Sequence, residues 1–204
     1  MTCAALVLAA GGGRRYGMPK ALVEYEGSLL VERAVRTARA VCDPVLVVLG
    51  ARAVDVWRTA DLDGATVLAN PDWETGMASS LRTGLDGLRS WPVVPGRAGG
   101  GAIDAVLVTL VDMPGMTPAA LQRVAALAAP DALAVASYDG VRGHPVLLGR
   151  EHWAGVAATV TGDEGARRYL AAQSATGGVT EVDCTGLADP VDLDVPPGGV
   201  PSAP

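Results

Sequence analysis

Apolar residues occur along this chain in two patterns, short unbroken runs and helically spaced stripes, and the two alternate. Residues 3–10 (CAALVLAA) form an uninterrupted apolar run, as expected of a strand buried on both faces. Residues 28–41 (SLLVERAVRTARAV) space Leu29, Leu30, Ala34, Val35, Ala38 and Val41 along one helix face, with Ser28 placed to cap it. Residues 44–50 and 65–70 read as strands, 77–91 as a helix, 103–111 (IDAVLVTLV) as the most apolar strand, and Thr117–Ala128 as a helix. A glycine-containing turn between 132–138 and 143–149 predicts two strands in an antiparallel hairpin. Helices near 150–158 and 164–172 and a strand near 179–183 complete the series.

Strands alternating with helices predict the α/β class: a Rossmann-like, doubly wound, mostly parallel sheet with an antiparallel strand, inside a three-layer α/β/α sandwich. Ligands of such sheets bind at the carboxyl ends of the strands. One domain is expected over 1–188, interrupted by a loop at 91–102 (WPVVPGRAGGGA) and followed by a Pro/Gly-rich tail, 189–204. The last eight residues of that tail are expected to be disordered. The chain has no internal repeat.

Composition changes this picture little. Half of the 204 residues are hydrophobic and there is no Phe, so Ala, Val and Leu must build the core. A net charge of −6 with no long basic stretch excludes nucleic-acid binding by charge. Cys3, Cys42 and Cys184 are widely separated and odd in number, without disulfide-framework or metal-ligand spacing, and read as buried thiols of a reducing cytosol. The first apolar run has no basic leader and is far too short to span a bilayer, so a cytoplasmic protein is expected.

Residues 7–22 (VLAAGGGRRYGMPKAL) depart from what a core requires. Gly11, Gly12 and Gly13 follow the first strand, at the ligand edge, where they turn the backbone sharply and present bare N–H groups to an anion. Arg15 and Lys20 add full positive charges for the same oxygens. Two familiar phosphate loops do not fit. A dinucleotide fingerprint would need glycine where Tyr16 stands, and no acid ends the second strand. A Walker loop would need lysine where Met18 follows Gly17.

What these residues do resemble is the LAAGxGxRxGxxKxL loop of the nucleotidyltransferases that activate small molecules with nucleoside triphosphates, with Tyr16 where that family often has Met. NPDWETGMASSLRTGL (70–85), LVTLVDMPGMTP (107–118), RGHPVLLGREHW (142–153) and GDEGAR (162–167) are similar to the molybdenum-cofactor cytidylyltransferase branch. The matches extend over most of residues 5–170. The resemblance implies a cytoplasmic nucleotidyltransferase using CTP or GTP and Mg²⁺, with a molybdopterin-type or other phosphorylated acceptor and a molybdoenzyme as possible client. Sugar- or polyol-phosphate transfer, or an idle nucleotide-binding accessory protein, are the alternatives.

The site residues follow. Asp112 ends an apolar strand, where a carboxylate is costly unless exposed or paired. The resemblance assigns it to the metal, and makes Arg15, Lys20 and Asp112 the catalytic set. Ala9, Ala10, Gly11, Gly12, Gly13, Arg15 and Lys20 are expected around the nucleotide, with Asn70, Ser79 and Ser80 contributing hydrogen bonds to base or ribose; either serine may equally be a helix cap. Ala10 stands where guanylyltransferases tend to carry Gly, which resembles the cytidine-preferring branch. The resemblance places His144 beside the acceptor. A second metal ligand is left open among Asp163, Asp192 and Asp194, and Asp163, read as beginning a helix, fits its N-cap equally. Trp73 and Trp153 fit core or rim equally.

Overall fold

The computed structural model describes residues 1–92 and 102–194. Most of the expected 91–102 loop and the expected disordered end, 197–204, lie outside the described residues. A seven-stranded sheet in the order β5-β4-β1-β6-β8-β7-β9 forms the middle layer. Its strands are β1 (Cys3–Ala9), β4 (Val45–Leu49), β5 (Ala65–Ala69), β6 (Ala105–Leu110), β7 (Leu133–Tyr138), β8 (Val141–Gly149) and β9 (Thr180–Asp183). β1, β4, β5 and β6 run parallel, β8 is antiparallel to both β6 and β7, and β9 is parallel to β7. The fold is therefore the doubly wound, three-layer arrangement expected, with its antiparallel strand inside the sheet.

Alternation along each strand divides the interior into two cores. Ala5, Val7, Ala9, Val45, Val47 and Leu49 face one side, against Val31, Val35 and Ala38 of α1 (Leu30–Arg39) and Ala120, Leu121 and Val124 of α4 (Pro118–Ala125). Ala4, Leu6, Leu8, Leu46 and Val48 face the other. There they meet Leu81, Leu85 and Leu88 of α3 (Met77–Arg89), Val156 of α5 (Trp153–Thr159) and Leu170 of α6 (Arg167–Ser174). Each fully buried leucine contributes about 2 kcal/mol, and the period of two sends neighbours to opposite cores. Trp153 belongs to the second core, its indole N–H donating to the Leu148 carbonyl at 2.8 Å.

The boundaries differ locally from expectation. Ser28 does not cap α1: it pairs in a small hairpin, β2 (Glu24–Tyr25) with β3 (Ser28–Leu29), and the Glu32 carboxylate accepts the Leu29 N–H at 3.0 Å instead. An unforeseen helix, α2 (Ala53–Thr59), buries only Val56 and leaves Val54 and Trp57 exposed, so it carries no helical apolar stripe. Residues 189–194 do not hang free. The Asp189 N–H donates to the Gly115 carbonyl at 3.2 Å and the Leu193 N–H to the Asp112 carbonyl at 2.8 Å. Among the described residues no helix is long and apolar enough to cross a membrane.

Candidate functional site

The winding of the sheet changes direction between β1 and β6, where a crevice opens at the strands' carboxyl ends. The glycine loop leaves β1 on one side of it, and Asp112 follows β6 on the other. Together they line a cleft of about 440 Å³ with Tyr16, Trp73, Ser80 and Asp163.

Backbone geometry makes the loop. Gly13 has φ +61°, and a Cβ there would stand 1.8 Å from the Met18 carbonyl oxygen. That hairpin is closed by the Gly17 N–H donating to the Gly13 carbonyl at 2.7 Å. Gly12 leaves room for Trp73, whose ring would be 2.9 Å from an added Cβ. Gly11 has nothing within 4 Å of where a Cβ would be, so protein packing does not account for its missing side chain and the space is open to a ligand.

Lys20 is the electrostatic centre. Its ammonium donates to Asp112 Oδ2 at 2.7 Å and to Asp194 Oδ1 at 2.8 Å, and Arg15 reaches the other oxygen of Asp194 at 2.9 Å. Burial works against the Lys20 charge, but hydrogen bonds to the two carboxylates outweigh it and hold its pKa above the usual value. The Lys20 hydrogen bond holds Asp194 below the carboxylate range. Asp192 is raised, first by burial and then by Asp112 and Asp194. Asp112 Oδ1 is buried without a hydrogen-bond partner, an arrangement that calls for a ligand.

A divalent cation fits this donor set. An unpartnered carboxylate oxygen on Asp112, with the Asp194 carboxylate on the same lysine, matches Mg²⁺-type sites, which take one or two carboxylates and complete their shell with phosphate oxygens and water. Among the described residues no group of three or more His, Cys, Asp or Glu could hold a metal unaided.

The structure separates the other expected residues. Ala10 and Ser80 line the cleft. Ala9 does not reach it, because its methyl group is buried in the first core. Asn70 is also spent elsewhere: buried at the end of β5, it donates to Ser79 Oγ at 2.8 Å and Ser80 Oγ at 3.0 Å, while its carbonyl accepts the Asp72 N–H at 3.0 Å. Ser79 in turn bonds the Asp72 and Gly76 carbonyls, both at 2.9 Å. Asn70 and Ser79 thus brace the 72–80 segment, and Ser80, held by Asn70, also lines the cleft. Asp163 does not begin α6, which starts four positions later. It accepts the Met77 N–H at 3.1 Å, capping α3 from a distant turn.

His144 lines an adjoining cleft of about 560 Å³, with Tyr138, Arg142, Arg167 and Asp192. Burial lowers its pKa to about 4, Arg167 pushing the same way against Asp112, so the ring is neutral. Leu81, Val108, Val135, Val146, Leu148 and Leu170 give this second cleft apolar walls. Trp73, Asp194 and Arg167 are the positions sequence reasoning undervalued. The signal for Trp73 was its place between Asn70 and the serines; that for Asp194 was the acidic VDLDVP stretch.

A glycine-rich loop and a lysine–carboxylate cluster across a switch point define a nucleotide-handling α/β domain. Residues 5–176 match the MobA-like NTP transferase domain, and the chain belongs to that family. It is 34% identical over 198 residues to nicotine blue oxidoreductase of Paenarthrobacter nicotinovorans, covering 93% of this chain and 90% of that one. It is 22% identical over 146 residues to molybdenum cofactor cytidylyltransferase of Escherichia coli K12, covering 71% and 69%. Among solved structures, a manganese complex of Rv0371c from Mycobacterium tuberculosis superposes with a TM-score of 0.73 at 27% identity, covering 95% of this chain and 94% of that one.

Proposed function

We propose that the protein transfers a nucleoside monophosphate, CMP by preference, from a nucleoside triphosphate to the phosphate of a molybdopterin-type acceptor, releasing pyrophosphate in the cytoplasm. The observation that carries this reading is Lys20, held between Asp112 and Asp194 at the mouth of the glycine loop while Asp112 keeps one buried oxygen unpartnered. An oxygen of the acceptor phosphate bonds to the α-phosphorus as the bond from that phosphorus to the β-bridging oxygen breaks. The acceptor phosphate is already anionic, so no side chain need remove a proton, in keeping with a site whose one histidine is neutral.

The residues position and neutralise. The backbone at Gly11–Gly13 lies against the triphosphate, and Lys20 and Arg15 turn from Asp194 to its oxygens. Asp112 and Asp194 would hold Mg²⁺, which supplies charge neutralisation at the reacting and leaving oxygens. Trp73 and Ser80 bound the nucleoside side of the cleft. The apolar walls of the second cleft suit the flat body of a heterocycle, with Arg142 and Arg167 for its anionic groups.

The likeness to nicotine blue oxidoreductase favours a second reading, a redox reaction in the same clefts. One assay separates the two: pyrophosphate release from CTP or GTP with Mg²⁺ and molybdopterin, beside oxidation of NADH or NADPH with aromatic acceptors. CTP-dependent pyrophosphate release is expected. Nucleotide binding without release would leave an accessory protein, and dinucleotide oxidation alone would establish the redox reading.

A further inference from the structure

Cys3 opens β1 and Cys42 lies in the connection from α1 to β4, yet their sulfurs stand 4.0 Å apart across 39 positions of sequence. Strand register brings them together. Ala5 lies opposite Val45, and the Ala5 N–H donates to the Pro44 carbonyl at 2.9 Å, so the entries to both strands run side by side. Cys3 is partly exposed and Cys42 buried. Cys184 is buried elsewhere, its Sγ 4.0 Å from the Ala120 carbonyl of α4.

We infer that Cys3 and Cys42 form a dithiol that closes to an intrachain disulfide on contact with a two-electron oxidant such as hydrogen peroxide. Peroxide oxidises one sulfur to a sulfenic acid and leaves as water. The second sulfur then displaces the hydroxyl group, a second water departs with the remaining thiol proton, and the S–S bond forms. Bonding requires about 2.05 Å between sulfurs, so the pair must close by roughly 2 Å. Contact with Cys3 holds the Cys42 thiol below its ordinary value against the effect of burial, while that same contact and burial raise Cys3.

The position sets the consequence. Cys3 is at the opposite end of β1 from the glycine loop, about 20 Å away at the usual rise per strand residue. Closure therefore leaves the clefts intact. It links two chain segments that the unfolded protein would otherwise separate, enclosing the glycine loop and α1. In the chain-entropy account, a loop of this length raises the melting temperature by roughly 8–16 °C in a domain of this size.

The test uses the full chain, treated with hydrogen peroxide, then alkylated and digested with trypsin without reduction. The expected product has lost two hydrogens and links the Met1–Arg14 peptide to Ala40–Arg52, with Cys184 still alkylated after unfolding. Melting temperature rises by about 8–16 °C, falls back with dithiothreitol, and does not respond to peroxide in Cys42→Ser. Sulfinic acid at Cys3 or Cys42 without the cross-link, a Cys3–Cys3 dimer between chains, or a lowered melting temperature in the linked protein would each overturn the inference. Pyrophosphate release is not the readout, so failure of the functional reading leaves this one standing.

Discussion

Replacing Lys20 by alanine removes the one cation shared by two site carboxylates. Its side chain is 15% exposed, that of Asp112 18% and that of Asp194 37%, so the cluster lies between a buried network and a surface pair. At about 3 Å and an effective dielectric near 20, each contact has roughly 5 kcal/mol of Coulomb attraction, most of it offset by desolvation. Exposed pairs contribute at most about 1 kcal/mol, while breaking a buried pair costs about 3–5 kcal/mol. A loss of about 2–3 kcal/mol follows, or roughly 5–10 °C in melting temperature.

The pH profile identifies the source. Lys20 has a raised pKa, so its stabilisation is complete below the ordinary lysine value and disappears as pH rises through the raised one. Asp194 has a lowered pKa, so its share is present above the ordinary carboxylate value and disappears as pH falls through the lowered one. The difference in stability between wild type and variant is therefore flat near neutrality and shrinks at both extremes. Chemical denaturation from acid to alkaline pH measures it. Without Lys20 the freed carboxylates also bind Mn²⁺ more tightly, so Mn²⁺ raises the variant's melting temperature more than the wild type's, while pyrophosphate release drops by about 10²-fold or more. A variant as stable as wild type, with no gain in Mn²⁺ stabilisation, would refute the reasoning.

Asp112→Asn is expected to abolish transfer; it weakens the 2.7 Å contact with Lys20 and costs about 1–3 kcal/mol, but the fold stays intact; near-normal turnover with Mg²⁺ would remove Asp112 from the mechanism. Gly13→Ala meets the Met18 carbonyl at 1.8 Å on a backbone of φ +61°, so triphosphate affinity by calorimetry should fall at least tenfold, with a stability loss of about 1–3 kcal/mol. His144 has a folded pKa near 4, so the unfolded chain binds the extra proton first; stability falls as pH drops from about 6.5 to about 4, by up to about 3 kcal/mol, and His144→Gln flattens that slope. Ala10→Gly should relax the preference for CTP over GTP by less than about tenfold in kcat/KM without inverting it, because steric fit alone discriminates weakly; a wild type favouring GTP would sink the cytidine assignment.

The layers, and part of the candidate site, were legible in the amino-acid order. Continuous apolar runs identified the central strands, helical stripes the main helices, and the abrupt change from LAA to GGG placed the glycine loop at the ligand edge. Asp112 was legible because a carboxylate closing an apolar strand has few tolerable places. Helix α2 was not, because only Val56 is buried and no periodicity results.

Which distant segments meet was set by packing in three dimensions. The hairpin of β7 and β8 was local, but the insertion of β8 beside β6 depends on the whole sheet. Asp163 caps α3 from 86 positions away, Asp194 reaches Lys20 across 174, and Cys3 faces Cys42 across 39. Asn70, expected to contribute hydrogen bonds to base or ribose, braces Ser79 and Ser80. Periodicity reports that a residue is buried, but it does not name the partner. Contacts between remote segments form because the chain's helices and strands can satisfy their apolar faces together in one arrangement, and that is a property of collective packing.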